Sequence, residues 1–357
     1  MQKLTFILLI IFIFTISCNI DKKEKTLECQ TVTIDTCDAT LDFYDNEPVF
    51  DLKGNNNIII NGDVDKEYMV DFKSLPVRSL IVKEMLYNVS AKDSFVGAYR
   101  YDGYAVDDIL NLIKPKKKAD NTLSTNIDLY LVVSNNKGDS VVLSWGEVFY
   151  PIHRHEIIIA TKVMRIVPSK TKDLWPLPVE TKLVVASDLM TVRNISNPTK
   201  ITIRSAFFDE TKGGIKGDTT YIEKFEILDN NRVLDVVSDL PKDEIIYKFP
   251  TVFYGRGRGI HSVTPFHGVM IKNMLIKYFS VNVNSLQHSM ILASGNDGYR
   301  ALFSLSEIMN RNDQAELLLV ELERDVDEGG AKFRLFPASD FFSDRSVKYL
   351  LSLKYLK

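Results

Sequence analysis

Leu129-Tyr-Leu-Val-Val-Ser134, Gly138, Glu147 and Glu156-Ile-Ile-Ile159 return 160 residues later as Ser289-Met-Ile-Leu-Ala-Ser294, Gly298, Glu307 and Glu316-Leu-Leu-Leu319. Upstream, a shift of 165 lays Leu75-Pro76 on Leu240-Pro241, Tyr101-Asp102-Gly103 on Phe266-His267-Gly268, and Val106 and Leu110 on Ile271 and Leu275. Downstream, Lys182-Leu-Val-Val-Ala-Ser-Asp188 answers Arg334-Leu-Phe-Pro-Ala-Ser-Asp340. The order is kept and the shift shrinks only in turn-rich places, as expected when one domain is duplicated and its loops are trimmed. So long a period is that of whole domains, not of solenoid units. The chain therefore divides into an apolar leader (1–18), a polar tether and lead-in (19–50), a first copy (51–206), a linker rich in Gly, Lys, Asp and Thr (207–220) and a second copy (221–357).

A chain of 357 residues, 45% hydrophobic and 25% charged, has room for two cores of ordinary size. Its net charge of −3 argues against a polyanion-binding surface, so no nucleic-acid partner is expected. Lys3 precedes an apolar run from Leu4 to Phe14, too short to span a bilayer and right for a signal-peptide core. It ends at Thr15-Ile16-Ser17-Cys18, which resembles the lipobox at which bacterial lipoproteins are cut, although Thr15 stands where an aliphatic residue is usual. Cys18 is thus the expected lipidation site, with plain secretion as the alternative. The expected location is the bacterial cell envelope, lipid-anchored to a membrane, with the side of the anchor left open. Cys29 and Cys37 are the only other cysteines, and in an oxidising compartment they form a disulfide or remain free thiols.

Strand signals dominate both copies. Asn57 to Val64 and Ser79 to Met85 read as strands, and Asn135-Asn-Lys-Gly-Asp139 between Leu129–Ser134 and Ser140–Ser144 reads as a hairpin turn. Apolar residues at 106, 109, 110 and 113 predict a short helix that Pro115 ends. In the second copy Val269 to Tyr278 is the predicted helix, Met290 to Phe303 the hairpin and Leu317 to Leu322 a buried strand. The fold class is therefore α+β, two tandem mainly-β domains with short helices. Glu147 and Glu307 read as first-turn acids that complete capping boxes begun at Ser144 and Ser304.

One stretch, Ser294-Gly-Asn-Asp-Gly298-Tyr299-Arg-Ala-Leu-Phe303-Ser304-Leu305-Ser-Glu307, together with the Leu-Pro, aromatic-x-Gly and Arg-Leu-x-Pro elements around it, resembles the sulfite-oxidase-type molybdopterin-binding domain. The first copy carries the same skeleton in Tyr101-Asp-Gly103-Tyr104, Asn135 to Glu147 and Lys182-Leu183. The resemblance implies a molybdenum–pterin cofactor and oxygen-atom or electron transfer on sulfur compounds. It also implies a cysteine thiolate on the strand that follows Leu-Pro, a soft ligand that is hard to replace. Here those windows read Lys83-Glu84-Met85-Leu86-Tyr87-Asn88 and Lys248-Phe249-Pro250-Thr251-Val252, with no cysteine in either.

The remaining candidates are few. Gly255-Arg256-Gly257-Arg258-Gly259-Ile260-His261 offers guanidinium forks, an imidazole and a flexible backbone, which suits an anion; a solvated Gly-rich loop is the plain alternative. His153 and His155 share a face if their segment is extended and would then present ligands to a divalent ion, against the reading of a polar loop before the Ile157 strand. No catalytic residues emerge. The expectation is a non-catalytic binding or scaffolding lipoprotein, with no cofactor and with another envelope protein or a small anionic ligand as partner. The alternative is a molybdopterin-dependent oxidoreductase.

Overall fold

The computed structural model describes residues 47–54, 57–86, 94–118, 123–168, 170–206, 221–257, 259–263, 265–313, 316–322 and 330–357. The leader with Cys18, the tether with Cys29 and Cys37, the linker and Arg258 lie outside the described residues. Four sheets of four or five strands, arranged like the blades of a four-bladed propeller, carry a few short helices between them, and a two-stranded sheet, Phe253–Gly255 with Gly259–Ser262, is added to the second copy.

The first copy contributes two sheets. One orders Phe50–Asp51, Ile157–Arg165, Ser94–Ala105 and Val77–Leu86, with Lys182–Val185 also on Ile157–Arg165; the other orders Tyr68–Met69, Ile59–Gly62, Pro198–Ser205, Leu129–Asn135 and Ser140–Ser144. The second copy repeats the plan as Arg232–Val237, Phe225–Asp229, Leu350–Leu356, Met290–Gly295 and Arg300–Ser304, and as Tyr247–Phe249, Phe266–Met270, Leu317–Glu321 and Phe333–Pro337. In each copy one strand pair is parallel, Ile59–Gly62 with Pro198–Ser205 and Phe225–Asp229 with Leu350–Leu356, and the other pairings are antiparallel. Gly138 and Gly298, 160 apart, both sit in the left-handed region at φ 98° and 77°, where a hairpin turn needs a residue without Cβ. Gly103 and Gly268 are equivalent through contact: a Cβ would meet Ile159 O at 2.1 Å in one copy and Leu319 O at 2.4 Å in the other.

The helices differ from expectation in length. The predicted Val269–Tyr278 helix is a strand through Met270 followed by a helix of five residues, Ile271–Leu275, because Gly268 to Met270 pair with Leu318 to Val320. Its counterpart Val106–Leu110 is equally short. The capping boxes form as read: Ser144 and Ser304 each accept from the backbone of the Glu three residues on, and each Glu accepts from the serine's own N–H.

The two copies meet in a pseudo-two-fold seam. Phe341 N donates to Tyr150 O and Ile152 N to Ser339 O, both at 2.8 Å; the counterparts are Leu189 N to Asn310 O at 2.7 Å and Asn312 N to Ser187 O at 3.0 Å. Such reciprocal contacts are the mark of an isologous interface, here within one chain. Under it, Arg193 bonds Asp188 and Glu147, and Arg345 bonds Asp340 and Glu307, with both guanidinium groups at most 1% exposed. The clusters are joined across the seam, since Ser144 Oγ donates to Glu307 at 2.6 Å and Arg193 Nη1 to Ser304 Oγ at 3.1 Å. One apolar core, including Leu131, Val133, Ile201, Ile291, Phe303 and Leu353, runs through both copies.

Candidate functional site

The window that the resemblance assigns to a metal ligand is filled in the first copy. Met85 is clasped by Thr191, whose N–H and hydroxyl donate to the Met85 carbonyl at 2.8 and 3.0 Å. The neighbouring Glu84 is 4% exposed and accepts from Lys182 Nζ at 2.6 and 2.7 Å and from the Tyr101 hydroxyl at 2.9 Å. Lys182 also lies over the Tyr101 ring, 5.8 Å from its centroid. Burial and Glu84 push the Tyr101 phenol far above its ordinary value, and the same causes raise Tyr99 to about 12. The ion pair is thus complete within the protein. A methionine held through its main chain by Thr191, beside a neutralised carboxylate, does not offer the thiolate that the resemblance implies for molybdenum.

The second copy keeps this arrangement with one partner removed. Arg334 takes the place of Lys182 and Phe266 that of Tyr101; Phe249 pairs with Phe266 as Leu80 pairs with Tyr101, so the place of Glu84, four residues on, is taken by Phe253. The guanidinium carbon of Arg334 lies 5.2 Å from the Phe253 ring and 5.5 Å from the Phe266 ring. Its Nε is buried with no hydrogen-bond partner, and among the described residues no carboxylate pairs with it. Burial pulls its pKa below the ordinary arginine value, since the charge is taken from water without a counter-charge. Lys348 Nζ stands over the same Phe253 ring at 5.7 Å. A cationic, aromatic-walled cluster results, without the carboxylate that the first copy supplies from its own side chain.

The anion loop proposed from sequence is a two-stranded hairpin, Phe253–Gly255 with Gly259–Ser262. His261 is exposed and packs on Phe253 at 5.3 Å between ring centroids, and Arg256 is more than half exposed with its Nε 4.0 Å from Asp344. The hairpin brings His261, but not Arg256, to the ring that Arg334 covers. Sequence reading does not find Arg334 itself; the signal was there, in a basic residue kept between copies while its acidic partner becomes phenylalanine.

The histidine segment forms another cluster. His155 adopts φ 66°, so the alternation that would put His153 and His155 on one face is broken. Both still line a cavity of about 10 Å³, room for roughly one water, together with Asp107, Glu147, Glu156 and Arg311. Ligand atoms of Asp107, Asp108 and His155 lie within 4.8 Å of one another. Their charge is already met, however: Asp107 accepts from Arg154 at 2.6 Å and bonds His155 Nδ1 at 2.9 Å, while Arg78 donates to Asp108 at 3.1 Å. Two guanidinium groups on the carboxylates make this a clasp that ties the loop to the helix Val106–Leu110 rather than a cation site.

No protein-family model matches the chain, and no curated protein matches it either. Among the described residues no helix is long and apolar enough to cross a membrane.

Proposed function

We propose that the chain is a lipid-anchored envelope protein that carries two degenerate copies of a sulfite-oxidase-type molybdopterin-binding domain and acts by binding rather than by catalysis, with the second copy holding a small anion. The observation that carries the reading is Arg334. A guanidinium desolvated between Phe253 and Phe266 without a carboxylate is costly in the empty protein, and a ligand bearing carboxylate, sulfate or phosphate would relieve that cost. The resemblance supports the fold assignment, and the missing thiolates in both windows support the loss of redox chemistry.

The test has two parts. Protein purified from a host that makes the molybdenum cofactor is assayed for metal, and less than about a tenth of an atom per chain is expected; stoichiometric molybdenum would reject the non-catalytic reading. Calorimetric titration with sulfate and with phosphate at constant ionic strength is expected to show saturable binding that Arg334→Met abolishes. Binding unchanged in that variant would remove Arg334 from the account.

A further inference from the structure

We propose that a groove beside the seam, centred on His288, binds a saccharide. It has two lobes of about 360 and 300 Å³ that share His288 and Lys357, at the small-ligand end of the range for binding pockets. The second lobe is closed on one side by Tyr130 and Ala206 of the first copy, so the groove is completed by both copies.

Its chemistry suits hydroxyl groups. Amide and hydroxyl side chains, among them Asn230, Asn231, Asn284 and Ser280, line it, and each can both donate and accept. The charges present are dispersed: Asp229 lies 4.0 Å from Lys357, and Lys354 Nζ donates to Asn231 at 3.3 Å. The second lobe is lined by two lysines, Lys354 and Lys357, and each has a polar partner within the protein, in contrast to the Arg334 site. The floor is aromatic, with Phe279 and Tyr355 stacked at 4.5 Å and the Tyr355 hydroxyl fixed by Ser289 at 2.8 Å. Burial holds His288 below its ordinary pKa, so at neutral pH its ring offers one donor and one acceptor. The residue equivalent to His288 in the first copy is Asp128, fully buried and occupied by Lys117 and by Arg300 at 3.2 Å, so the histidine has no counterpart there.

The experiment applies the full chain to a glycan array and measures the best glycan by calorimetry against Asn284→Ala, His288→Ala and, as a control, Arg334→Met. Selective retention of one saccharide class is expected, with affinity reduced 10-fold or more by Asn284→Ala or His288→Ala and unchanged by Arg334→Met. Asn284 is exposed, so its variant keeps the wild-type melting temperature and reports on binding alone. Retention of no glycan above background, or affinity unaltered in both groove variants, would overturn the proposal. Loss of binding in Arg334→Met alone would move the ligand to the other site.

Discussion

Replacing Arg193 by methionine removes a guanidinium that is 0% exposed and leaves its partners behind. Asp188 loses bonds of 2.6 and 2.7 Å, Glu147 loses bonds of 2.9 and 3.0 Å, and Ser304 across the seam loses one of 3.1 Å. Two carboxylates are then buried without a counter-charge, a change that costs about 3–5 kcal/mol. At ~2–4 °C per kcal/mol for chains somewhat shorter than this one, the melting temperature should fall by roughly 6–20 °C in calorimetry. The duplication adds a sharper demand. Arg345 holds Asp340 at 2.7 Å and Glu307 at 2.8 Å in the same pattern, so Arg345→Met should match Arg193→Met to within about 1 kcal/mol in urea unfolding. Removing Asp188 together with Arg193 should recover part of the loss, because one fewer charge is stranded. A loss under ~1 kcal/mol in either arginine variant would refute the reasoning that these clusters are buried charge networks holding the seam.

Other consequences can be measured directly. Burial raises the pKa of Asp188, Asp340 and Glu307 in the fold, so each takes up a proton more readily folded than unfolded. The stability this contributes is complete below the ordinary carboxylate range and is lost as pH rises through the folded values; urea midpoints should therefore fall as pH rises above the ordinary carboxylate range, Asp340→Asn should flatten the trend, and a rising midpoint would contradict it. Gly103→Ala and Gly268→Ala should each cost more than ~3 kcal/mol in urea unfolding, since the added methyl would sit 2.1 Å from Ile159 O or 2.4 Å from Leu319 O in packed strands. Ser144→Ala removes the cap bond to Glu147 and the cross-seam bond to Glu307, and should cost about 1–3 kcal/mol; a neutral result would mean that the seam does not depend on it.

The sequence was most legible where structure is local. The hairpins at Leu129 and Met290 announce themselves through β-branched or apolar runs around a turn glycine, and Ser144 and Ser304 with a Glu three residues on announce the caps. Ser94–Ala105 gave no such signal, because Ser94-Phe-Val-Gly-Ala-Tyr-Arg-Tyr lacks clean alternation; that strand is defined by pairing with Val77–Leu86 on one side and Ile157–Arg165 on the other. The length of the Ile271–Leu275 helix was likewise decided by sheet pairing rather than by apolar periodicity. Arg193 and Arg345 stood five residues after Asp188 and Asp340 in both copies, a readable coincidence whose meaning required the seam. Arg334 is the instructive case: only with Lys182 holding Glu84 and the strand register aligned does Phe253 stand out as the loss of a charge partner.

The claim that the copies share a fold and differ in one completed ion pair is tested most directly by comparing Lys182→Met with Arg334→Met in the absence of anions. Lys182→Met strands the buried Glu84 and should cost about 3–5 kcal/mol. Arg334→Met removes a desolvated charge that has no partner, and should leave stability unchanged or raise it. A loss of 3 kcal/mol or more in Arg334→Met would show that the second copy satisfies this arginine internally, and would contradict the account.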